Sequence, residues 1–420
     1  MCRRIEVPQL TRPHPRGTTH LSKWFHLGLL HTILDKRLAI SKSCYQNEFL
    51  MVKKQTQIDS IVADYWDNHT DESYFGETYW LANPIINHRY QLKAAGGRFM
   101  PIGDSWVDFT VECYLTNGGS LTKVDEKGLN QVTDIREIAK LVNEVIANNP
   151  GGVKQFRESK MLNRILDERT PVDKVLSIGS GDGALERHLA SINAAKEIVG
   201  IDLAPKRIEI AKETANRLAK EYNVQNPITY IVGNVETSPL PGSDYDAIYF
   251  NSSLHHMSDL DSILQSCSNA LKHDGYLFIN EYIGPNRFDF SKREREVMTS
   301  VFQTIPIKYR ISQADYDKGE IRTHLAFPSP EEVERVDPSE AINSAGIVEA
   351  VCRHFDIVEF NSAGGTLIQF MLDGIAGNFR HDDEDSLKVL DLIFKIEDTL
   401  VESGDLSPHF AMIVAQPCHV

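Results

Sequence analysis

Along the first third of the chain the apolar positions keep a helical rhythm and then lose it. Ile58, Ile61, Val62, Tyr65 and Trp66 fall at helical spacing within 55–67, and Asn83-Pro84 opens a second helix with proline in its first turn. From 107 to 115 the period becomes two. Val107, Phe109, Val111, Cys113 and Leu115 alternate with Asp108, Thr110 and Glu112, which predicts a half-buried strand. Asn117-Gly118-Gly119 then predicts a hairpin returning through 121–124. Helical patterns resume over 134–148 and 153–167. Tyr65 and Trp66 read as packing residues of this N-terminal cap.

From residue 173 onward strand and helix patterns alternate. Strands are predicted at 175–178, 197–202, 228–232, 245–251 and 276–282, with helices at 182–193 and 205–222. Ser258 is expected to cap the next helix, with Asp261 in the capping-box place and Leu260, Ile263, Leu264, Cys267 and Leu271 as its buried stripe. The stretch 284–338 breaks the rhythm with charges and prolines and reads as an insertion over the carboxyl edge of the sheet. A helix (347–353), a strand (355–360), a helix (386–401) and a last strand (410–414) follow. Such alternation predicts an α/β fold: a Rossmann-like, doubly wound, mostly parallel seven-stranded sheet with an N-terminal helical cap and an inserted lid.

Composition removes several classes. A net charge of −15 over 420 residues disfavours a nucleic-acid partner, which needs clustered Lys and Arg. Six scattered cysteines form no C-x-x-C pair, so a reduced, cytoplasmic setting is expected. No run reaches the ~18–20 apolar residues of a membrane span. Residues 1–50 are basic and acid-poor. They fit either a transit peptide or translation from a start upstream of Met51, and no function is assigned to them.

The strongest chemical signal is Val175-Leu176-Ser177-Ile178-Gly179-Ser180-Gly181-Asp182-Gly183. A strand ending in G-x-G-x-G and running into a helix lets a ligand approach bare backbone, because no Cβ blocks the turn and free N–H groups point outward. The next strand ends in Gly200-Ile201-Asp202, where a carboxylate can accept both hydroxyls of a ribose. These residues alone leave two readings open. Gly179-x-Gly181-x-x-Ala184 with Asp202 also fits a dinucleotide fingerprint, hence an NAD(P)-linked oxidoreductase, although no Tyr-x-x-x-Lys pair follows the fourth strand.

Taken in order, residues 175–282 resemble the class I S-adenosylmethionine-dependent methyltransferases. The resemblance implies that Ile178, Gly179, Ser180, Gly181 and Gly183 hold the amino-acid part of S-adenosyl-L-methionine, and that Asp202, followed by Leu203, holds its ribose. Asn234 stands where the family usually has an acid near the adenine amino group, with the Val235 N–H toward the ring; Asn251 closes the fourth strand beside the same pocket. Ser252-Ser253-Leu254-His255-His256-Met257 is similar to the post-strand segment of small-molecule methyltransferases related to quinone-biosynthesis enzymes. The 271–277 turn resembles the family's approach to its fifth strand. Asp337-Pro338-Ser339-Glu340-Ala341 and 364–379 look like a bacterial branch with poorly defined acceptors.

The implied activity is methyl transfer to a small-molecule, glycan or lipid-linked acceptor at oxygen. His255, His256 and Glu281 are the candidate proton acceptors, since an imidazole is matched to this task near neutral pH and a carboxylate needs burial to raise its pKa. Tyr282, Asn286 and Arg287 follow the fifth strand and are candidate contacts to a polar acceptor. No Asp/His cluster calls for a metal, and none is expected. The segments are then a leader (1–50), a cap (51–170), a cofactor-binding core (171–283), an acceptor-site lid (284–340) and the core completion (341–420). A third reading keeps cofactor binding without turnover. Oligomeric state stays open.

Overall fold

Seven strands form one sheet: β1 (Val172–Ile178), β2 (Ala195–Asp202), β3 (Ile228–Val232), β4 (Tyr245–Asn251), β5 (Leu271–Tyr282), β6 (Phe355–Gly364) and β7 (Phe410–Pro417), in the order β3-β2-β1-β4-β5-β7-β6. The first five run parallel, and β7 lies antiparallel between β5 and β6. This is the doubly wound, mostly parallel sheet that the alternation predicts. The computed structural model describes residues 59–67, 79–97, 104–119, 134–148, 170–221, 223 and 225–418, all within the unit Ile58–Val420.

Strand parity sorts side chains to the two faces. Val175, Ala247, Tyr249, Phe278, Met412 and Val414 face one core. Leu176, Ile178, Ile248, Phe250, Leu277, Ile279 and Ile413 face the other. The described helices are α1 (59–67), α2 (Pro84–Ala94), α3 (Trp106–Thr110, continued by a π-turn over Val111–Leu115), α4 (Ile135–Asn148), α5 (Ala184–Ser191), α6 (Pro205–Glu221), α7 (Leu260–Ala270), α8 (Lys292–Thr304), α9 (Pro330–Val336), α10 (Ile347–His354), α11 (Ile368–Leu372) and α12 (Glu384–Glu402). Helices α2–α5, α8, α11 and α12 contribute to the first core, and α7 and α10 to the second. Asn83 starts α2 as expected: its Oδ1 accepts from the N–H of Ile85 and Ile86, while its amide donates to the carbonyls of Ala376 and Phe379.

Two expectations need correction. The segment 107–115 is helical, not a strand. Trp106 through Val111 are all buried, so no exposed polar stripe marks a 3.6 period. The residues that supplied the apparent alternation are satisfied inside: Asp108 accepts from the Ser105 N–H at 2.8 Å, and Thr110 donates to the Val107 carbonyl at 3.0 Å. Gly118 and Gly119, both at positive φ, close this helix through the Gly119 N–H to the Cys113 carbonyl rather than turning a hairpin. Second, the cap of α7 is Asp259, whose side chain accepts from the Ser262 N–H. Ser258 is turned instead toward Glu236. The expected stretches 121–124, 153–167 and 1–50 lie outside the described residues. Among the described residues no helix is long and apolar enough to cross a membrane.

After β5 the chain builds α8 and α9. Val297, Met298, Val301 and Phe302 of α8 are buried in the first core, so this insertion is packed down by its own apolar stripe. Its two ends sit beside the carboxyl ends of β4 and β5.

Candidate active site

The chain winds outward from β1 to β3 and resumes at β4, so the sheet order reverses between β1 and β4. Ligands in open α/β sheets bind at such a point, beyond the strands' carboxyl ends. The loop leaving β1 here is 179–183. The Gly179 and Ser180 N–H groups bond to the Ile201 carbonyl at the end of β2, and the Ser253 hydroxyl bonds to the Ile178 carbonyl at 2.6 Å.

The glycines serve different needs. Gly183 has φ +83°, and a Cβ there would stand 2.2 Å from the Tyr230 hydroxyl oxygen. Gly179 leaves equally little room, since its Cβ would meet the Ser253 Cβ at 2.3 Å. Gly181, also at positive φ, faces open space with nothing within 4 Å. Two glycines fit the loop to the protein, and the middle one leaves a bare surface.

Asp202 closes the pocket from β2. Its carboxylate accepts from the N–H of Gly181 and of Ala204, each at 2.8 Å, leaving further lone pairs on both oxygens. Burial raises its pKa against the pull of those two N–H groups. Ser180 carries a buried hydroxyl without a hydrogen-bond partner, and Leu203 is half-buried beside Asp202. Asn234 lies at the end of β3. Its amide donates to Asp59 of α1 at 2.9 Å, and its carbonyl accepts from the Glu236 N–H at 2.8 Å. That carbonyl is therefore already in use, and Val235 next to it is half-buried. Asn251 accepts from the Asn280 amide, which in turn accepts from the Tyr90 hydroxyl.

Glu186 is an unexpected neighbour. It lies in the first turn of α5, is fully buried, and neither carboxylate oxygen has a well-formed hydrogen bond. Burial, only partly offset by the Ser177 hydroxyl, pushes it up to about 7.

The second half of the site follows β4. Ser252 takes φ +55°, a costly backbone state for a non-glycine residue, and turns the chain back under β5. Glu281, wholly buried near the end of β5, receives the turn. One oxygen accepts from the Ser253 and Leu254 N–H groups, each at 2.5 Å, and the other meets His255 Nδ1 at 2.6 Å. Burial opposes a charged imidazole here, but Glu281, with Glu340 and Asp337 beyond it, pushes His255 up to about 9. His256 packs 4.1 Å away, ring centre to ring centre, and burial together with the neighbouring His255 holds its pKa below the ordinary value. Its Nδ1 lies 3.0 Å from the Ser339 hydroxyl.

The 337–342 turn completes this cluster. Arg287 donates to the carbonyls of Asp337, Pro338 and Glu340, its N–H bonds to the Ala341 carbonyl, and the Ile342 N–H bonds to the His255 carbonyl. Glu340 is thereby set opposite both imidazoles, 3.7 Å from His255 Nε2 and 3.9 Å from His256 Nε2. Trp66 of α1 makes a T-shaped contact with His256, ring centres 5.4 Å apart, and the Arg207 guanidinium lies over the Trp66 ring at 5.3 Å.

The structure thus brings Gly179–Gly183, Asp202, His255, His256 and Glu281 to one edge of the sheet, the two halves joined through Ser253. It uses the three candidate acceptor contacts otherwise. Tyr282 is buried with its hydroxyl on the Pro285 carbonyl, Asn286 accepts from the Ala345 N–H, and Arg287 is spent on the 337–340 carbonyls. Their position after β5 suggested free polar ends, but neighbouring backbone claims them. Trp66, Ser339 and Glu340 join the site without a local signal in the sequence. Trp66 was indistinguishable from core packing, and only chain folding brings the 337–342 turn to the histidines.

Comparison with known proteins adds a frame. Residues 176–279 match the family model described as a methyltransferase domain, and residues 106–166 match a GatB domain model. The demethylmenaquinone methyltransferase of Tropheryma whipplei is 33% identical over 119 residues, 28% of this chain and 46% of that protein. The 27-O-demethylrifamycin SV methyltransferase of Amycolatopsis mediterranei is 24% identical over 211 residues, 47% of this chain and 72% of that one. The chain thus spans less than half the length of the first of these relatives. Among solved structures, phosphoethanolamine N-methyltransferase 2 of Haemonchus contortus aligns with a TM-score of 0.38 and 18% identity over 70% of this chain and 60% of that one.

Proposed function

We propose that this chain, whose residues 176–279 match a methyltransferase domain model, is an S-adenosyl-L-methionine-dependent enzyme that methylates an oxygen of a small-molecule acceptor. One observation carries the reading. The open glycine loop and Asp202 lie at the same sheet edge as the His255–His256–Glu281 cluster, joined through Ser253, which supports placing the donor beside the proton-accepting groups. The residues fit the donor: Gly181 leaves uncovered backbone, Asp202 keeps lone pairs for a diol, and Ser180 offers an unpartnered buried hydroxyl. Asn234 and Val235, just past β3, are assigned to the base, with Leu203 beside Asp202; Ile178 sits in the second core and supports the loop from below, and Asn251 is assigned to the same pocket.

When bound, the sulfonium donor supplies a methyl carbon that is electrophilic without help from the protein. The chain's part is then alignment, exclusion of water and proton handling. His256 takes the acceptor proton. Ser339 donates to Asp337 at 2.7 Å, so its oxygen receives the His256 Nδ1–H and leaves Nε2 with a lone pair. Glu281 has no free oxygen for proton transfer. It is a positioning residue that holds His255 and the 252–254 turn, and Trp66 keeps water from the outer face of His256.

Acceptor choice falls to the 284–340 insertion and the helical cap, and a glycan or lipid-linked acceptor fits the same chemistry. The four described cysteines, Cys113, Cys267, Cys352 and Cys418, are free thiols, which supports a reduced cytoplasmic setting. Calorimetric titration with S-adenosylhomocysteine and, separately, NADH tests the donor class. The first is expected to bind and the second not; the reverse result overturns the assignment. Incubation with labelled donor and fractionated extract, followed by mass identification of whatever is labelled, then gives the acceptor.

A further inference from the structure

We infer that His255, His256 and Glu340 form a binding site for a divalent first-row transition cation, with both imidazole Nε2 atoms and the Glu340 carboxylate as ligands. One nitrogen or oxygen of each residue lies within 4.8 Å of the others. The outer nitrogen of each ring is already held. His255 Nδ1 is on Glu281 at 2.6 Å, and His256 Nδ1 is on Ser339 at 3.0 Å. A carboxylate or hydroxyl behind the far nitrogen is the arrangement that orients metal-bound histidine and raises its basicity. With Nδ1 donating in both rings, each unprotonated ring has its Nε2 lone pair within 4 Å of the same Glu340 carboxylate. Three acceptors converge there, and only an added proton or a cation relieves them.

Two further observations favour a built site over a chance cluster. Asp337 is 2% exposed, and its Oδ2, buried and without a hydrogen-bond partner, lies 3.9 Å from His256 Nδ1. The cluster therefore holds three carboxylates, Glu281, Asp337 and Glu340, around two imidazoles. The nearby cation Arg287 spends its guanidinium hydrogen bonds on three backbone carbonyls and not on these carboxylates. Those same bonds fix the turn that presents Glu340, so the ligand geometry is set in advance.

Two imidazoles and one carboxylate suit Zn²⁺, Co²⁺ or Fe²⁺ better than Mg²⁺ or Ca²⁺, which prefer all-oxygen shells. Three protein ligands also leave coordination positions open. Resting on the methyl-transfer reading, an open position would take the acceptor oxygen and lower its pKa, so that its proton leaves to solvent before methyl transfer instead of passing to His256.

The test uses the full chain, stripped with chelator and titrated with Co²⁺ alone. One equivalent is expected to bind and give a visible ligand-field spectrum. Glu340→Gln and His256→Ala are each expected to weaken binding on the order of tenfold or more, with S-adenosylhomocysteine binding as the check on folding. Absence of stoichiometric Co²⁺ binding, or undiminished binding in both variants, overturns the site. Should His256→Ala fail to fold, the isosteric, half-buried Glu340→Gln decides alone. Because the homologue probes the donor pocket separately, Co²⁺ binding without it would sink only the methyl-transfer reading, and the reverse only the metal site.

Discussion

Glu281 meets His255 Nδ1 at 2.6 Å while its other oxygen takes the N–H groups of Ser253 and Leu254. A single carboxylate thus fixes both a side chain of the acceptor cluster and the turn that abuts Gly179. Glu281→Gln keeps the shape but loses the charge and can no longer accept on both sides. Hydrogen bonds to a charged group contribute about 1.5–3 kcal/mol each, so a loss of roughly 2–4 kcal/mol is expected in urea melts. Turnover should fall at least as far as in His255→Ala. A variant as stable and active as the parent would contradict the positioning role.

Asp202→Ala should weaken S-adenosylhomocysteine binding by roughly 10–100-fold, the loss of charge-assisted hydrogen bonds to a diol. The calorimetric comparison with the parent settles it. An unchanged affinity would remove Asp202 from the pocket.

The loop glycines separate packing from binding. Gly183→Ala pushes a methyl group into the Tyr230 hydroxyl, on top of an L-residue penalty of about 1–2 kcal/mol for positive φ. Pairing it with Tyr230→Phe should recover part of the lost stability. Gly181→Ala meets nothing within 4 Å, so it should cost only the conformational penalty while weakening cofactor binding more than Gly183→Ala/Tyr230→Phe does. Equal effects on stability and binding at both sites would count against this division.

Glu186 makes stability depend on pH in a defined direction. Burial pushes its pKa from 4.5 to about 7, so between those values the folded chain holds a proton that the unfolded chain has released. Stability therefore falls as pH rises from about 4.5 to about 7 and then levels, by about 3 kcal/mol in all. Glu186→Leu should flatten that slope in denaturant titrations across pH 4.5–8 and be the more stable protein at pH 8. A slope unchanged by the substitution would show that Glu186 is not its source.

Strand–helix alternation made the sheet legible because β1 to β4 are short and largely apolar, and 228–232 and 245–251 match β3 and β4 end for end, whereas β5 begins five residues before the expected 276, at Leu271 directly after α7, where Lys272, His273 and Asp274 hide the strand. The glycine loop and Asp202 were legible for a related reason: their chemistry is local to two strand ends. The α3 segment was not. Full burial erases the polar stripe that distinguishes a helix from a strand, and Asp108 and Thr110, hydrogen-bonded inside, mimicked an exposed face. Ser258 and Asp259 compete for one cap, and spacing alone chose the wrong neighbour. The Glu340 arrangement was beyond reach for another reason. It depends on Arg287 gathering three carbonyls, a long-range contact that leaves no period in the chain.

Among the described strands β6 pairs with β7 alone, and β7 also supplies the partner of β5. On the ribosome, residues 355–364 therefore emerge with no ladder to join, carrying Val358 and Phe360, which stay 49% and 41% exposed even after folding. Until residues 410–417 follow, the nascent chain presents an open β5 edge and a sticky orphan strand, the kind of surface that holding chaperones bind.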